Sequence, residues 1–175
     1  MVAISDGRAG LAETLPYGPL RLMDSSGGDP TEARKIVAKG FGKSELGTAL
    51  EGRTLYAVGG IWRALARVDM EEQNYPLHVL HHYQIPSARA LKLCKIVSSL
   101  SRESLDKIKS VPKRRSESLP FGALVLEQMI QVFELKEVIV SAYGLREGLL
   151  QLKLTREEAA KDPLLEFARD WNARE

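Results

Sequence analysis

Two rhythms of apolar and polar residues run along this chain, and the places where one gives way to the other mark its elements. Val2-Ala3-Ile4 and Ala9-Gly10-Leu11-Ala12-Glu13-Thr14-Leu15 flank Ser5-Asp6-Gly7-Arg8. An Asp-Gly pair between two extended runs predicts a tight hairpin. Strand character, interrupted by breakers, is expected to continue through Leu15-Pro16-Tyr17-Gly18-Pro19-Leu20-Arg21-Leu22-Met23, so residues 2–24 read as strands. Ser25-Ser26-Gly27-Gly28 is a connector. Asp29-Pro30-Thr31-Glu32 then offers an N-cap, a proline at the first helical position and an early acid, the signature of a helix start. Ala33, Ile36, Val37 and Phe41 recur on one face of that helix.

Gly47 to Gly52 separates the helix from a strand over Thr54–Val58, and Gly59-Gly60 turns the chain into a helix over Trp62–Val68. Tyr75 to Tyr83 carries a proline among β-favouring residues, which predicts an extended piece near a sheet edge. Ser87 is expected to cap a helix reaching about Leu100, followed by a short helix over Arg102–Lys109 and a basic loop, Val111 to Ser116. Leu124, Val125, Met129 and Val132 are spaced for one face of a helix over Pro120–Phe133. Glu137-Val138-Ile139-Val140-Ser141-Ala142 is short, β-branched and almost continuously apolar, as a strand covered on both faces must be. A helix over Leu145–Leu154 comes next. Thr155-Arg156-Glu157-Glu158 has capping-box spacing and opens a charged helical segment carrying Leu164, Leu165, Phe167, Ala168 and Trp171. No internal repeat of fixed period is present.

At 175 residues the chain can bury a genuine core as one domain with an appended piece. The formal net charge of +2 balances 25 basic against 23 acidic residues, so nothing demands a nucleic-acid partner. A pI near 8.7 is compatible with a polyanion and does not require one. One cysteine, Cys94, excludes an intramolecular disulfide, and its setting reads as an apolar helix face in preference to a nucleophile. No apolar run approaches the roughly 18 residues of a membrane-spanning helix. With no signal-peptide pattern at the N-terminus, the expected compartment is the cytoplasm.

The stretch with most chemistry is Tyr56-Ala57-Val58-Gly59-Gly60-Ile61-Trp62-Arg63. Glycines without a Cβ let a phosphate approach the main chain, and the free N–H groups of the following helix point at it. Tight packing of helix on sheet uses the same residues. Arg63, one turn into the helix, either faces the anion or lies in solvent. Lys113, Arg114 and Arg115 steer a polyanion or form a solvated loop. His78, His81 and His82 are expected to be structural: His78 and His82 have i, i+4 spacing, but Pro76 and Val79 spoil the helix that a zinc pair needs. Arg146 and Glu147 are neighbours on a helix and do not face each other; an ion pair with other elements is favoured over catalysis.

Four ordered pieces together resemble one family. They are Tyr56 to Ala66, Tyr75-Pro76-Leu77-His78-Val79-Leu80-His81, Leu119-Pro120-Phe121-Gly122-Ala123-Leu124-Val125-Leu126-Glu127, and Gly144-Leu145-Arg146-Glu147-Gly148-Leu149-Leu150. The chain resembles the exopolyphosphatase and guanosine-pentaphosphate phosphohydrolase (Ppx/GppA) family, within the acetate kinase, sugar kinase, heat-shock ATPase and actin superfamily. Glu13 to Leu22 fits the second lobe of the same family. The implied fold is α/β: a ribonuclease-H-like, actin-like ATPase lobe with a mixed sheet, flanking helices and a helical C-terminal extension. Residues 1–154 would form the lobe, truncated at its first strand, and residues 155–175 the extension.

The resemblance implies release of terminal phosphate from inorganic polyphosphate or guanosine pentaphosphate, with magnesium in the full-length enzyme. It places Gly59, Gly60, Arg63 and Arg115 at the phosphate and assigns no catalytic or metal-binding residue to this chain, because the family's catalytic glutamate lies in the first lobe. The Asp-x-Gly-Gly-Gly-Ser loop expected just before Val2 is missing. An isolated chain is therefore expected to be inactive and to need no cofactor, with no nucleic-acid or membrane partner. A homodimer, or association through an exposed lobe face, is expected instead. The competing readings are a non-catalytic docking or self-associating module and a sugar-kinase-like phosphotransferase. Three motif positions depart from the family: Ile61 for a frequent threonine, His82 for a common glycine and Ser116 for a usual alanine.

Overall fold

A hydrophobic helix under a short mixed sheet organises the chain, seen in a computed structural model that describes residues 1–77 and 79–173. The elements are β1 (Val2–Ser5), β2 (Arg8–Ala12), α1 (Pro19–Ser25), α2 (Pro30–Phe41), α3 (Gly47–Leu50), β3 (Thr54–Val58), α4 (Gly60–Glu72), β4 (Tyr83–Pro86) and α5 (Ser87–Ser99). They continue with α6 (Arg102–Asp106), α7 (Leu119–Val132), β5 (Glu137–Ser141), α8 (Leu145–Gln151), α9 (Arg156–Ala159) and α10 (Pro163–Asn172). Residues Met1–Ala142 and Tyr143–Glu175 form two compact units.

In the first unit, eleven of the fourteen residues of α7 are buried, all but Glu127 and Gln128 of them non-polar, as suits a helix surrounded by others. α1, α2, α4 and α5 pack on it. α2 presents Ala33, Val37 and Phe41 to this core, and its start is fixed where Asp29 accepts the Thr31 N–H at 2.8 Å. β5 lies between β3, parallel to it in register Thr54↔Glu137 to Val58↔Ser141, and β4, antiparallel with Tyr83↔Val140. Burial of Val138, Ile139 and Val140 accounts for its unbroken apolar sequence. β1 and β2 form a separate antiparallel hairpin, turned by Asp6 and Gly7 at φ 50° and 71°.

Several sequence expectations fail locally. Leu15–Met23 does not extend the strand: Pro19 opens α1, and Leu22, fully buried, anchors that helix in the core. Gly47–Leu50 is a short helix and not only a connector. α4 begins at Gly60 and runs to Glu72, beyond the expected Val68, because Asp69 and Met70 are drawn into the interior. The extended piece expected over Tyr75–Tyr83 is displaced to Tyr83–Pro86, where Tyr83 and Ile85 alternate inward. Ser87 is the first helical residue instead of the cap; its hydroxyl donates to the Leu135 carbonyl. α6 stops at Asp106, and part of the basic loop winds into a 3-10 turn over Lys113–Arg115.

In the second unit, α8 ends at Gln151, three residues earlier than expected. The capping box is present: Thr155 Oγ1 accepts the Glu158 N–H at 3.2 Å, and the Thr155 N–H donates to Glu158 Oε2 at 2.8 Å. The Thr155 N–H, and then the Thr155 hydroxyl donating to the same oxygen at 2.7 Å, hold the Glu158 carboxyl below its usual range. Among the described residues, no helix is long and apolar enough to cross a membrane.

Candidate functional site

Parallel pairing of β3 with β5 brings Val58 beside Ser141, so both strands deliver their C-terminal ends to one edge of the sheet. Such edges are where open α/β sheets bind ligands. At this edge Gly59 has φ 140° and ψ 166°, a backbone region closed to side chains with a Cβ. No side chain caps α4, whose first helical bond runs from Arg63 N–H to Gly59 O at 3.2 Å. The amides of Gly60, Ile61 and Trp62 precede that bond and form the electropositive end of the helix.

Tertiary folding then places a cation on this end. A Cβ at Gly60 would stand 2.1 Å from Arg115 Nη2 and 2.6 Å from its Cζ. The glycine is thus needed for the guanidinium to lie against the backbone. Arg115 is half-buried, whereas Lys113 and Arg114 are exposed. Its turn is pinned by buried Ser116, whose hydroxyl donates to Asp106 Oδ1 at 2.5 Å. A serine at this position therefore has a structural task. Arg63 is half-buried, and its Nη1 donates to the Ala142 carbonyl at 2.7 Å, tying α4 to the end of β5.

A positive group at a helix N-terminus is unfavourable by roughly 0.3–1 kcal/mol unless an anion neutralises it. Gly59, Gly60, Arg63 and Arg115 all lie at this end of the sheet, with Arg115 against Gly60 and Arg63 on the Ala142 carbonyl. Ile61 turns toward α7. Its Cγ2 packs so closely on α7 that a Cβ at Gly122 would lie 2.3 Å away. The glycine of Leu119-Pro120-Phe121-Gly122 is thereby assigned to helix contact, a role that sequence spacing did not reveal.

The other candidates separate from this edge. His78 lies outside the described residues. The rings of His81 and His82 are 4.5 Å apart; burial, and then the neighbouring imidazole, lower the His81 pKa. His82 sits at φ 60°, and its N–H donates to Val140 O at 3.0 Å, continuing the ladder beyond β4. The expected glycine thus has a conformational reason. His82→Gly is expected to raise stability by about 0.5–1 kcal/mol in urea unfolding, through relief of the left-handed backbone. An unchanged or lower midpoint would assign the histidine a compensating contact.

Cys94 is fully buried on α5, and burial, with Glu127 nearby, pushes its thiol well above the usual range. It is an inert core residue. In the second unit, Glu147 accepts the Gly144 N–H at 2.6 Å and Arg146 is exposed, so Glu147 caps α8. Among the described residues, no three His, Cys, Asp or Glu side chains gather where they could hold a metal ion.

A three-stranded mixed sheet, flanking helices and a glycine turn at the C-terminal strand edge define an α/β lobe of the actin-like ATPase fold. Residues 1–157 match the Ppx/GppA phosphatase family, and the chain belongs to that family. A Ppx/GppA phosphatase of Aquifex aeolicus, in its type II variant, superposes with a TM-score of 0.69 at 21% identity, over 85% of this chain and 51% of that one. An exopolyphosphatase from Cytophaga hutchinsonii gives a TM-score of 0.70 at 19% identity, over 82% and 49%. An exopolyphosphatase-like protein gives 0.61 at 17%, over 75% and 46%. No curated protein matches the chain. The chain spans about half the length of these solved structures.

Proposed function

We propose that residues 1–154 are the phosphate-gripping second lobe of an exopolyphosphatase-type hydrolase, with residues 155–175 as a helical extension. The substrate class is inorganic polyphosphate or a guanosine pentaphosphate. The observation that carries this reading is the Arg115 guanidinium lying on Gly60 at the uncapped start of α4. Phosphoryl transfer needs positioning and charge neutralisation, both of which amides and guanidinium groups supply to a terminal phosphate. It also needs an oriented nucleophile and metal-bound oxygens, and Gly59, Gly60, Arg63 and Arg115 contain no carboxylate. The chain by itself therefore binds and does not hydrolyse.

The test is polyphosphate binding by calorimetry, paired with phosphate release in the presence of magnesium. Arg115→Ala is expected to weaken binding about fivefold, the equivalent of about 1 kcal/mol for a half-buried cationic contact. Phosphate release is expected to stay at background. Equal binding by the variant would remove the phosphate-gripping assignment. Steady release by the purified chain would overturn the division of labour.

A further inference from the structure

The C-terminal half of α4 borders a second cleft, of about 500 Å³. Gly59, Gly60 and Arg115 do not line it. Arg67, its first lining residue on α4, lies seven residues beyond Gly60, roughly 10 Å along the helix at about 1.5 Å per residue. A cleft of this size suits a small organic ligand.

Local sequence builds its walls. α4 closes where Asn74 takes a left-handed backbone at φ 48° and the Tyr75 N–H returns to the Met70 carbonyl at 2.9 Å. Asparagine suits such a stop. The reversal carries Tyr75 back against the helix, where its ring meets the buried Tyr83 edge-on with centroids 5.0 Å apart. Tyr83 is itself fixed by its hydrogen bond to Asp69. Tyr75 keeps 37% of its surface exposed, so a positioned ring stays open to a ligand. Buried Met70 and half-buried Leu80 supply the apolar part of the lining.

The charged part is unpaired. Arg67 and Glu71 carry opposite charges one turn apart, the spacing at which a helix pairs them. Neither forms an ion pair among the described residues, nor does Lys109, which lines the cleft from the segment after α6. Ser110 beside it has a hydroxyl closed to solvent and without a hydrogen-bond partner. Rotation to another χ1 well offers that hydroxyl to an occupant. Two cations against one carboxylate favour an anion that also carries N–H donors for Glu71.

We propose that this cleft binds a purine nucleoside monophosphate whose base bears an amino group. The base stacks on Tyr75 and donates its amino hydrogens to Glu71, and the phosphate meets Arg67 and Lys109. Arg67 to Asn74 covers two helical turns, roughly 11 Å, about the length of such a ligand from amino group to phosphorus. Free phosphate leaves the aromatic ring and the carboxylate without a role, and an apolar ligand leaves both cations without one. The site stands independently of the phosphate assignment at Gly60 and Arg115.

Calorimetry with the full 175-residue chain is expected to show saturable binding of adenosine monophosphate at one site. Adenosine lacks the phosphate and inosine monophosphate lacks the amino group; each is expected to bind about tenfold more weakly. Inorganic phosphate is expected to be weaker still. Arg67→Ala and Lys109→Ala, both at exposed positions, are each expected to weaken adenosine monophosphate about fivefold while the unfolding midpoint stays near wild type. Glu71→Gln is expected to narrow the gap between the two nucleotides, since an amide can donate to the inosine carbonyl. Inorganic phosphate bound as tightly as adenosine monophosphate would reduce the cleft to an anion patch and overturn the proposal. Absence of saturable nucleotide binding would overturn it too. Arg115→Ala is expected to leave nucleotide affinity unchanged. Loss there, with none in Arg67→Ala, would move the nucleotide to Gly60 and sink this site, whereas polyphosphate binding is read separately.

Discussion

Asp69→Ala is expected to destabilise the first unit by about 3 kcal/mol. Asp69 is completely buried on α4. Its Oδ2 accepts the Tyr83 hydroxyl at 2.7 Å and stands 3.1 Å from Arg89 Nε, a close ion pair more than an aligned hydrogen bond. Three elements, α4, β4 and α5, meet at that one oxygen. Burial and then the bond to Asp69 push the Tyr83 phenol well above its ordinary pKa, so it stays a donor. Alanine would strand a buried hydroxyl, at a cost of roughly 1–3 kcal/mol, and remove the partner of a cation. Breaking a fully buried pair costs about 3–5 kcal/mol. The Arg89 side chain is one third exposed and partly rescued by water, which lowers the sum.

Tyr83→Phe removes only the donor and should cost about 1 kcal/mol. The double variant should lose less than the two single changes added together. Thermal and urea unfolding check both; a 3 kcal/mol loss lowers the midpoint by about 6–12 °C in a chain of this size. A loss below about 1 kcal/mol for Asp69→Ala would show that the carboxylate offsets only its own desolvation.

Gly122→Ala is the second large effect. Helix propensity alone favours alanine by about 1 kcal/mol. Against that, the new methyl would sit 2.3 Å from Ile61 Cγ2, with Pro19 Cγ 3.6 Å away. Ile61 is β-branched and has little rotameric escape, so α4 and α7 must part. Overpacking of this kind costs about 1–3 kcal/mol, and the expected net is destabilisation in that range. Ile61→Ala removes the opposing methyl, so Ile61→Ala/Gly122→Ala should recover most of the loss. If the pair proves additive, the two helices do not touch through these atoms. Because Ile61 follows Gly60 directly, the single variant should also weaken polyphosphate binding, whereas the double variant restores it.

Sequence and structure agree where local chemistry and long-range packing pull the same way. Asp6-Gly7 could turn only one way, and Asp29-Pro30 could start only a helix; both stand as read. The apolar run Val138–Val140 announced a covered strand because no other element tolerates that composition at that length. Disagreements arise where a distant partner decides. Leu20 and Leu22 alternate as in a strand, yet Leu22 is captured by the core and Pro19 sets the helical φ. Ser87 has the ideal chemistry for a cap and spends its hydroxyl on Leu135. Gln84, Ile85 and Pro86 lack the length to declare a strand, and pairing with β5 makes them one.

The candidate site divides in the same manner. Gly59 and Gly60, the helix behind them and membership of the Ppx/GppA family were legible in the order of residues, since a strand, two glycines and a helix form a contiguous unit. Only the tertiary structure decided that Arg115 lies on Gly60, that Arg63 holds Ala142, and that Gly122 exists to admit Ile61. Those contacts join segments far apart in the chain, and no local propensity encodes a distance that packing around α7 alone sets.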